Sequence, residues 1–148
     1  MKPQDMQKMM GKKMGAQESE KGEVEEPVDN STTIENLAAR VFAARNIAHR
    51  EHWKTNSIAR HEALGEFYDG IVDAIDEIIE VDQGMYGLIG GFEVEDQKVD
   101  DIVAFIKGEA DWIVQNRDKF SKCQPVLNLI DGLLAIYLRT AYKLTNLL

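Results

Sequence analysis

Imidazole and carboxylate side chains are concentrated in the stretch from His49 to Glu80. All three histidines of the chain, His49, His52 and His61, fall in the first part of this stretch. Farther along, Asp76 and Glu80 are four residues apart, a spacing that places two carboxylates on one face of a helix. Imidazoles and carboxylates together are ligands that a divalent iron site uses, so the stretch is a candidate redox metal site.

The composition limits the kinds of protein that this chain can be. Its 148 residues suffice for one domain and a tail, and 44% hydrophobic residues suffice for a compact core. The net charge of -9 argues against a folded body that binds nucleic acids generally, since phosphate binding needs a basic surface. Cys123 is the one cysteine, so an intrachain disulfide is excluded and a reducing compartment is expected. Its simplest role is that of a small packing residue.

The sequence predicts a cytoplasmic protein. The longest apolar run in the last helix extends only from Leu133 to Leu138, which is too short to cross a membrane. Lys2 is not followed by an apolar stretch, so no secretory signal is visible near the start of the sequence.

Residues 1–30 are predicted to be a flexible tail, because their polar residues and charge blocks cannot bury enough apolar surface to order the chain. The first half is basic through Lys2, Lys8, Lys12 and Lys13. Residues 16–30 reverse the sign with six acids against Lys21. The methionines of the first half have near-helical spacing, so a short amphipathic helix could form there on a partner.

Residues 31–148 are predicted to form four amphipathic helices. Thr32 and Glu35 form a capping box that predicts the start of the first helix, which ends near Lys54. The other helices are expected at Ile58–Val81, at Val99–Phe120, and from Pro125 nearly to the end. The glycine-rich residues 82–98 become a long crossover. The fold class is therefore all-α, a ferritin-like four-helix bundle with a long crossover between helices two and three.

Motifs along the first two helices resemble the Dps proteins, the small ferritins that protect DNA in stressed cells. The matching residues are His52-Trp53, His61-Glu62, Glu66, Tyr68, and Ile75–Ile78 with Glu80. The resemblance is sharpest over residues 48–81, weaker in the last helix, and compatible with a bacteriophage-encoded member. It implies a protein that binds non-haem iron, oxidises Fe(II) as a ferroxidase, and stores the product in a hollow shell, which protects DNA from oxidative damage.

The resemblance also implies where the iron binds. In Dps proteins the site lies at a twofold dimer interface, with two histidines from one subunit and an acidic pair from the other. By this match His52 and His61 would be the histidine half. Asp76 and Glu80 would be the acidic half supplied by the neighbour, and Trp53 would intercept oxidising equivalents. The Glu-x-x-His pattern of larger ferritins is absent, which favours a homo-oligomer of twofold dimers, a dodecamer, over a larger cage.

A plainer alternative accompanies each of these hypotheses. His52 on an apolar face is more often a hydrogen-bonded core histidine than a ligand, and an acidic run on a helix is usually a solvated face. The break between His52 and His61 is shorter than in the Dps family, and Gly65 stands where that family often has an acid. These features motivate the alternative of a ferritin-like scaffold without ferroxidase activity, which serves as a structural or interaction protein.

The basic tail carries a further alternative. Flexible basic tails are DNA-binding arms in some Dps proteins, and the tail lysines, Lys2, Lys8, Lys12 and Lys13, could make such contact here. Because an acidic block follows them, we expect any DNA contact to be weak and sensitive to salt.

Overall fold

A computed structural model describes residues 33–147, and this part of the chain forms four helices without any strand. They are α1 (Ile34–Lys54), α2 (Ile58–Tyr86), α3 (Ile102–Phe120) and α4 (Gln124–Asn146). The prediction of an all-α fold with four helices is confirmed for residues 33–147. The predicted tail, residues 1–30 with its lysines, lies outside the described residues. No helix within residues 33–147 combines the length and apolar character that crossing a membrane requires.

The start of α1 differs from the prediction. Thr33 is the N-cap, and its Oγ1 accepts a hydrogen bond from the Asn36 N–H at 3.2 Å. Glu35 instead accepts from the Gly90 N–H of the crossover at 3.0 Å, a contact that lowers the pKa of Glu35. The capping box predicted from Thr32 and Glu35 is therefore wrong, because Thr33 is the N-cap and Glu35 is the second residue of the helix, one position short of the capping-box site.

The crossover between α2 and α3 occupies residues 87–101 rather than 82–98. Helix α2 continues past its predicted end at Val81 and stops where Gly87 adopts a φ of 89°, a conformation that favours glycine. Helix α3 begins after the predicted Val99, because the side chain of Asp101 caps it by accepting hydrogen bonds from two backbone N–H groups.

The four helices form a closed bundle. Helix α1 packs on α2 and α3, and α4 packs on the same two helices, so α1 lies diagonally opposite α4. The crossover follows α1 from one end of the bundle to the other. Gly90 contacts Glu35 near the start of α1, and Asp96 pairs with Arg50 near its end, at 2.6 Å. Helix α3 therefore begins at the end of the bundle where α2 begins, and the two helices are parallel.

The core consists of the apolar stripes that the helical spacing predicts. The largest fully buried side chains are Leu37, Ile47, Leu64, Phe67, Ile71, Ile75, Ile78, Ile106, Ile113, Ile130, Leu133 and Tyr137. Their burial supplies the main favourable free energy of folding, at roughly 1.5–3 kcal/mol for each large side chain. The rings of Tyr137 and Phe67 pack edge to face with centroids 4.9 Å apart. Burial raises the pKa of the Tyr137 hydroxyl.

One ion pair lies at the boundary of this core. The Arg40 guanidinium donates to both carboxylate oxygens of Glu109, at 2.7 and 3.0 Å, and lies 3.8 Å from the centre of the Trp112 ring. The Glu109 side chain is only 11% exposed, whereas that of Arg40 is 41% exposed. The pair joins α1 to α3 and compensates the burial of the Glu109 charge.

Candidate metal centre

His52, near the end of α1, and His61, in the first turn of α2, lie against each other. Their ring centroids are 3.5 Å apart and their ring planes are inclined by 23°. Each ring contacts the backbone of the other residue. His52 Nδ1 lies 2.6 Å from the His61 carbonyl oxygen, and His61 Nδ1 lies 2.9 Å from the His52 carbonyl oxygen. The short break between the two helices therefore brings the two predicted histidines together.

These backbone contacts determine which nitrogen of each ring can bind a metal. A carbonyl oxygen only accepts hydrogen bonds, so each Nδ1 carries a hydrogen and donates it. In the neutral imidazole the lone pair is then on Nε2. Histidines that bind metals usually donate their other ring N–H in this way. Neither Nε2 atom makes a hydrogen bond within residues 33–147, so the pair offers two nitrogen ligands.

The stacked arrangement of the two imidazole rings determines whether they can bind one metal ion together. Each lone pair lies in the plane of its ring, and an ion ligated by both rings would lie about 2 Å from both nitrogens. Two stacked planes inclined by only 23° do not meet at that distance. The rings must therefore turn about their side-chain torsions to bind one ion together. The structure holds the two ligands next to each other in a stacked, closed arrangement.

Gly65 provides the space that the His52 ring occupies. A β-carbon at this position would lie 3.3 Å from His52 Cε1 and 3.5 Å from His52 Nδ1. The first of these distances is shorter than an ordinary van der Waals contact between carbon atoms. Glycine at position 65, where the Dps family often has an acid, therefore has a steric reason in this chain.

His49 and two aromatic rings extend the histidine pair. The His49 ring stacks on Tyr68 with centroids 4.2 Å apart and lies 4.3 Å from the Trp53 ring. Tyr68 in turn meets the His52 ring edge-on at 5.3 Å. Trp53 is 68% exposed and His61 is exposed as well, so the histidine pair already lies at the surface and these rings extend it there.

The predicted acidic half lies elsewhere on α2. Asp76 and Glu80 are exposed, and at about 1.5 Å of rise per residue they lie about 22 Å and about 28 Å along the helix from His61. One copy of the chain therefore does not bring these carboxylates to its own histidines. Within residues 33–147, no three side chains of the His, Cys, Asp or Glu type are placed to hold a metal ion together.

Beyond Glu66, which pairs with Lys143, the exposed carboxylates on this face of α2 have no neutralising partner in the described part of the chain. The exposed acids of α2 after Glu66 are Asp69, Asp73, Asp76, Glu77 and Glu80. None of them makes an ion pair or a hydrogen bond within residues 33–147. Such a row produces a negative potential that attracts cations or a basic partner.

The interior of the bundle offers no comparable ligand group. The buried carboxylates of residues 33–147 are Asp82 and Glu109. Glu109 is paired with Arg40, and Asp82 accepts a hydrogen bond from the Ser121 hydroxyl at 3.3 Å. Burial raises the pKa of Asp82, since a charged carboxylate is poorly solvated there.

A protein family matches residues 52–144, from His52 at the candidate site to the last turns of α4. The chain belongs to this family of unknown function, DUF5856. No curated protein and no solved structure matches the chain. The DUF5856 segment contains both predicted half-sites, since His61, Asp76 and Glu80 all lie within it.

Within the DUF5856 segment, the roles of Gly65 and Tyr68 at the site were not predicted from the sequence. Gly65 is four residues after His61 and Tyr68 is seven, so all three share one face of α2. That spacing is a signal that could have placed them beside the histidines. His49, outside the segment, lies partly buried between Tyr68 and Trp53.

Proposed function

We propose that this chain is a ferritin-like subunit of the Dps type that binds Fe(II) at a site shared between two copies and oxidises it there. His52 and His61 of one copy form the first half of the site. Asp76 and Glu80 of the neighbouring copy form the second. The observation that carries the proposal is the histidine pair, in which both Nδ1 atoms are held by backbone carbonyls and both Nε2 atoms remain as ligands.

Two further features support the proposal. A four-helix bundle with one long crossover is the architecture of ferritin-like proteins. The unneutralised acids of α2, among them Asp76 and Glu80, would attract Fe(II) and are suitable oxygen ligands for it.

The proposed chemistry treats iron as the substrate. Each Fe(II) loses one electron and hydrogen peroxide accepts two, so a pair of Fe(II) ions and a pair of protons convert one peroxide to two waters. Ligands at fixed positions would restrict this reaction to the site and so limit the release of hydroxyl radicals. Turning the rings out of their stack would be the step that admits the metal.

The test is iron oxidation by the full chain. Fe(II) is added without oxygen, peroxide follows, and the absorbance of ferric oxide is recorded. We expect the double variants His52→Ala with His61→Ala, and Asp76→Asn with Glu80→Gln, to lose most of the rate above the protein-free background. The matched control His49→Gln removes a neighbouring imidazole that the proposal does not use and should retain the rate. Equal rates in all four proteins would refute the site.

The same contact favours a second candidate function. The reciprocal bonds between His52 and His61 also join the end of α1 to the start of α2, which would suit a scaffold without ferroxidase activity. In that case the His52→Ala with His61→Ala variant would lower the melting temperature while iron oxidation equalled the protein-free background even in the wild type.

A further inference from the structure

A cleft lies between α1, α3 and the crossover, and none of its lining residues belongs to the histidine site. Its volume is about 580 Å³, within the range of about 300–1,000 Å³ that is common for ligand sites. The crossover is tied to α1 by the contact of Gly90 with Glu35 and by the ion pair of Asp96 with Arg50. Between these ties the crossover forms one wall of the cleft.

The wall formed by the crossover is acidic. Glu93 and Glu95 line the cleft, are exposed, and make no ion pair or hydrogen bond within residues 33–147. The other two carboxylates of the lining, Asp96 and Glu109, are already paired with arginines. The remaining lining includes the apolar side chains Ala39, Ala43 and Phe105. A segment that carries both ammonium groups and apolar side chains would fit this surface.

The chain itself contains a segment of this chemistry. Residues 1–14 contain one acid, Asp5, and the four lysines Lys2, Lys8, Lys12 and Lys13. They also contain Met6, Met9, Met10 and Met14, whose adaptable side chains pack well on irregular apolar surfaces. The connecting residues 15–32 are acidic and would be repelled by Glu93 and Glu95. Charge complementarity therefore selects the first fourteen residues as the occupant.

The connecting residues have a suitable length. Thr33 is less than one helical turn before Asn36, which lines the cleft, and Ala43 at its far side is about 15 Å along α1. A random coil of the length of residues 15–32 would span about 23 Å on average. Because this length is close to the distance to be covered, the effective concentration of residues 1–14 at the cleft is in the millimolar range.

We propose that residues 1–14 dock in the cleft of their own chain, with lysines paired to Glu93 and Glu95 and methionines on the apolar lining. The docked segment withholds its lysines from DNA or any other polyanion, so the cleft regulates what the tail can bind. This inference is independent of the proposed iron site, because the two share no residue.

Trypsin cleavage of the full chain tests the docking. Mass spectrometry measures the rates of cleavage after Lys8, Lys12 and Lys13. Their sum is divided by the rate of cleavage after Lys21, which lies in the connecting segment, and this quotient is the cleavage ratio. We expect the double variant E93Q/E95Q to raise this ratio about three- to tenfold, the effect of losing one or two exposed ion pairs. The control E62Q/D111N removes the same charge from exposed positions outside both the cleft and the acidic row of α2, and it should leave the ratio unchanged.

Salt and dilution complete the test. We expect about 0.5 M salt to raise the wild-type ratio to that of E93Q/E95Q, since salt screens exposed charges. Equal cleavage ratios in the wild type and E93Q/E95Q at low salt would overturn the proposal. The occupant of the cleft would then be a separate basic partner and not residues 1–14. A wild-type ratio that rises on dilution would also overturn it, because the occupant would then be the segment of a second copy.

Discussion

Replacing Gly65 by alanine has two opposing effects on stability. Alanine favours the helix, but its β-carbon disturbs the His52 ring. The added β-carbon would lie 3.3 Å from His52 Cε1. The His52 ring cannot simply move away, because it stacks on His61 at 3.5 Å and its Nδ1 is held 2.6 Å from the His61 carbonyl oxygen. We therefore expect the ring to turn out of its position and to lose the hydrogen bond.

The magnitudes decide the sign of the change in stability. Alanine is favoured over glycine inside a helix by about 1 kcal/mol. Losing the His52 hydrogen bond costs about 1 kcal/mol, and disturbing the ring stack costs about 0.5–1.5 kcal/mol more. The free energy of unfolding of Gly65→Ala should therefore fall by about 0.5–1.5 kcal/mol, the sum of these terms.

Urea unfolding followed by circular dichroism measures this difference. Gly108→Ala is the matched control, since Gly108 lies inside α3 and a β-carbon there would meet nothing within 4 Å. We expect this control to gain about 1 kcal/mol, the helix preference alone. If the free energy of unfolding rose as much in Gly65→Ala as in Gly108→Ala, and the NMR signals of the His52 ring did not change, the proposed contact between position 65 and the His52 ring would be refuted.

Three further predictions concern the bundle and its crossover. Because burial raises the pKa of Asp82, the free energy of unfolding should fall as pH rises from about 4 through that raised pKa. Asp82→Asn should remove this pH dependence and raise the melting temperature at neutral pH. A variant with the same pH profile as the wild type would contradict this prediction. Arg40→Met leaves the buried Glu109 charge without a partner and should lower the free energy of unfolding in urea by about 3 kcal/mol. Arg50→Met removes an exposed ion pair and should lower it by less than about 1 kcal/mol. Equal losses in the two variants would contradict the greater importance of the buried pair. Gly87→Ala should lower the free energy of unfolding by about 1–3 kcal/mol in the same assay, because residues with a β-carbon rarely adopt the positive φ of Gly87. An unchanged free energy of unfolding would refute this prediction.

The helices could be predicted because their signals are local, and the errors arise where distant residues intervene. Apolar spacing and the end of α1 at Lys54 are properties of neighbouring residues. Asp82 and Gly84 indicated a loop, yet α2 continues through both, and Asp82 is buried against Ser121, thirty-nine residues away in sequence. The Arg40–Glu109 pair is likewise a contact between distant segments, and no local pattern indicates it.

The candidate site could be predicted only in part for a related reason. The resemblance selected His52 and His61, and the spacing placed His52 on the inner face of α1. The backbone contacts that fix both rings depend on the path of the three residues between the helices, and that path was not evident from residue types. The role of Gly65 follows from the position of the His52 ring, so it could be recognised only once that position was known.

The proposed iron site joins two copies of the chain, and mixed oligomers test this arrangement most directly. Subunits with His52→Ala and His61→Ala are coexpressed with subunits carrying Asp76→Asn and Glu80→Gln, and iron oxidation is measured. In a twofold dimer of one subunit of each kind, one of the two sites has all four ligands, so random mixing should restore about a quarter of the wild-type activity. A mixture as inactive as either variant alone, although both kinds of subunit assemble together, would contradict this arrangement.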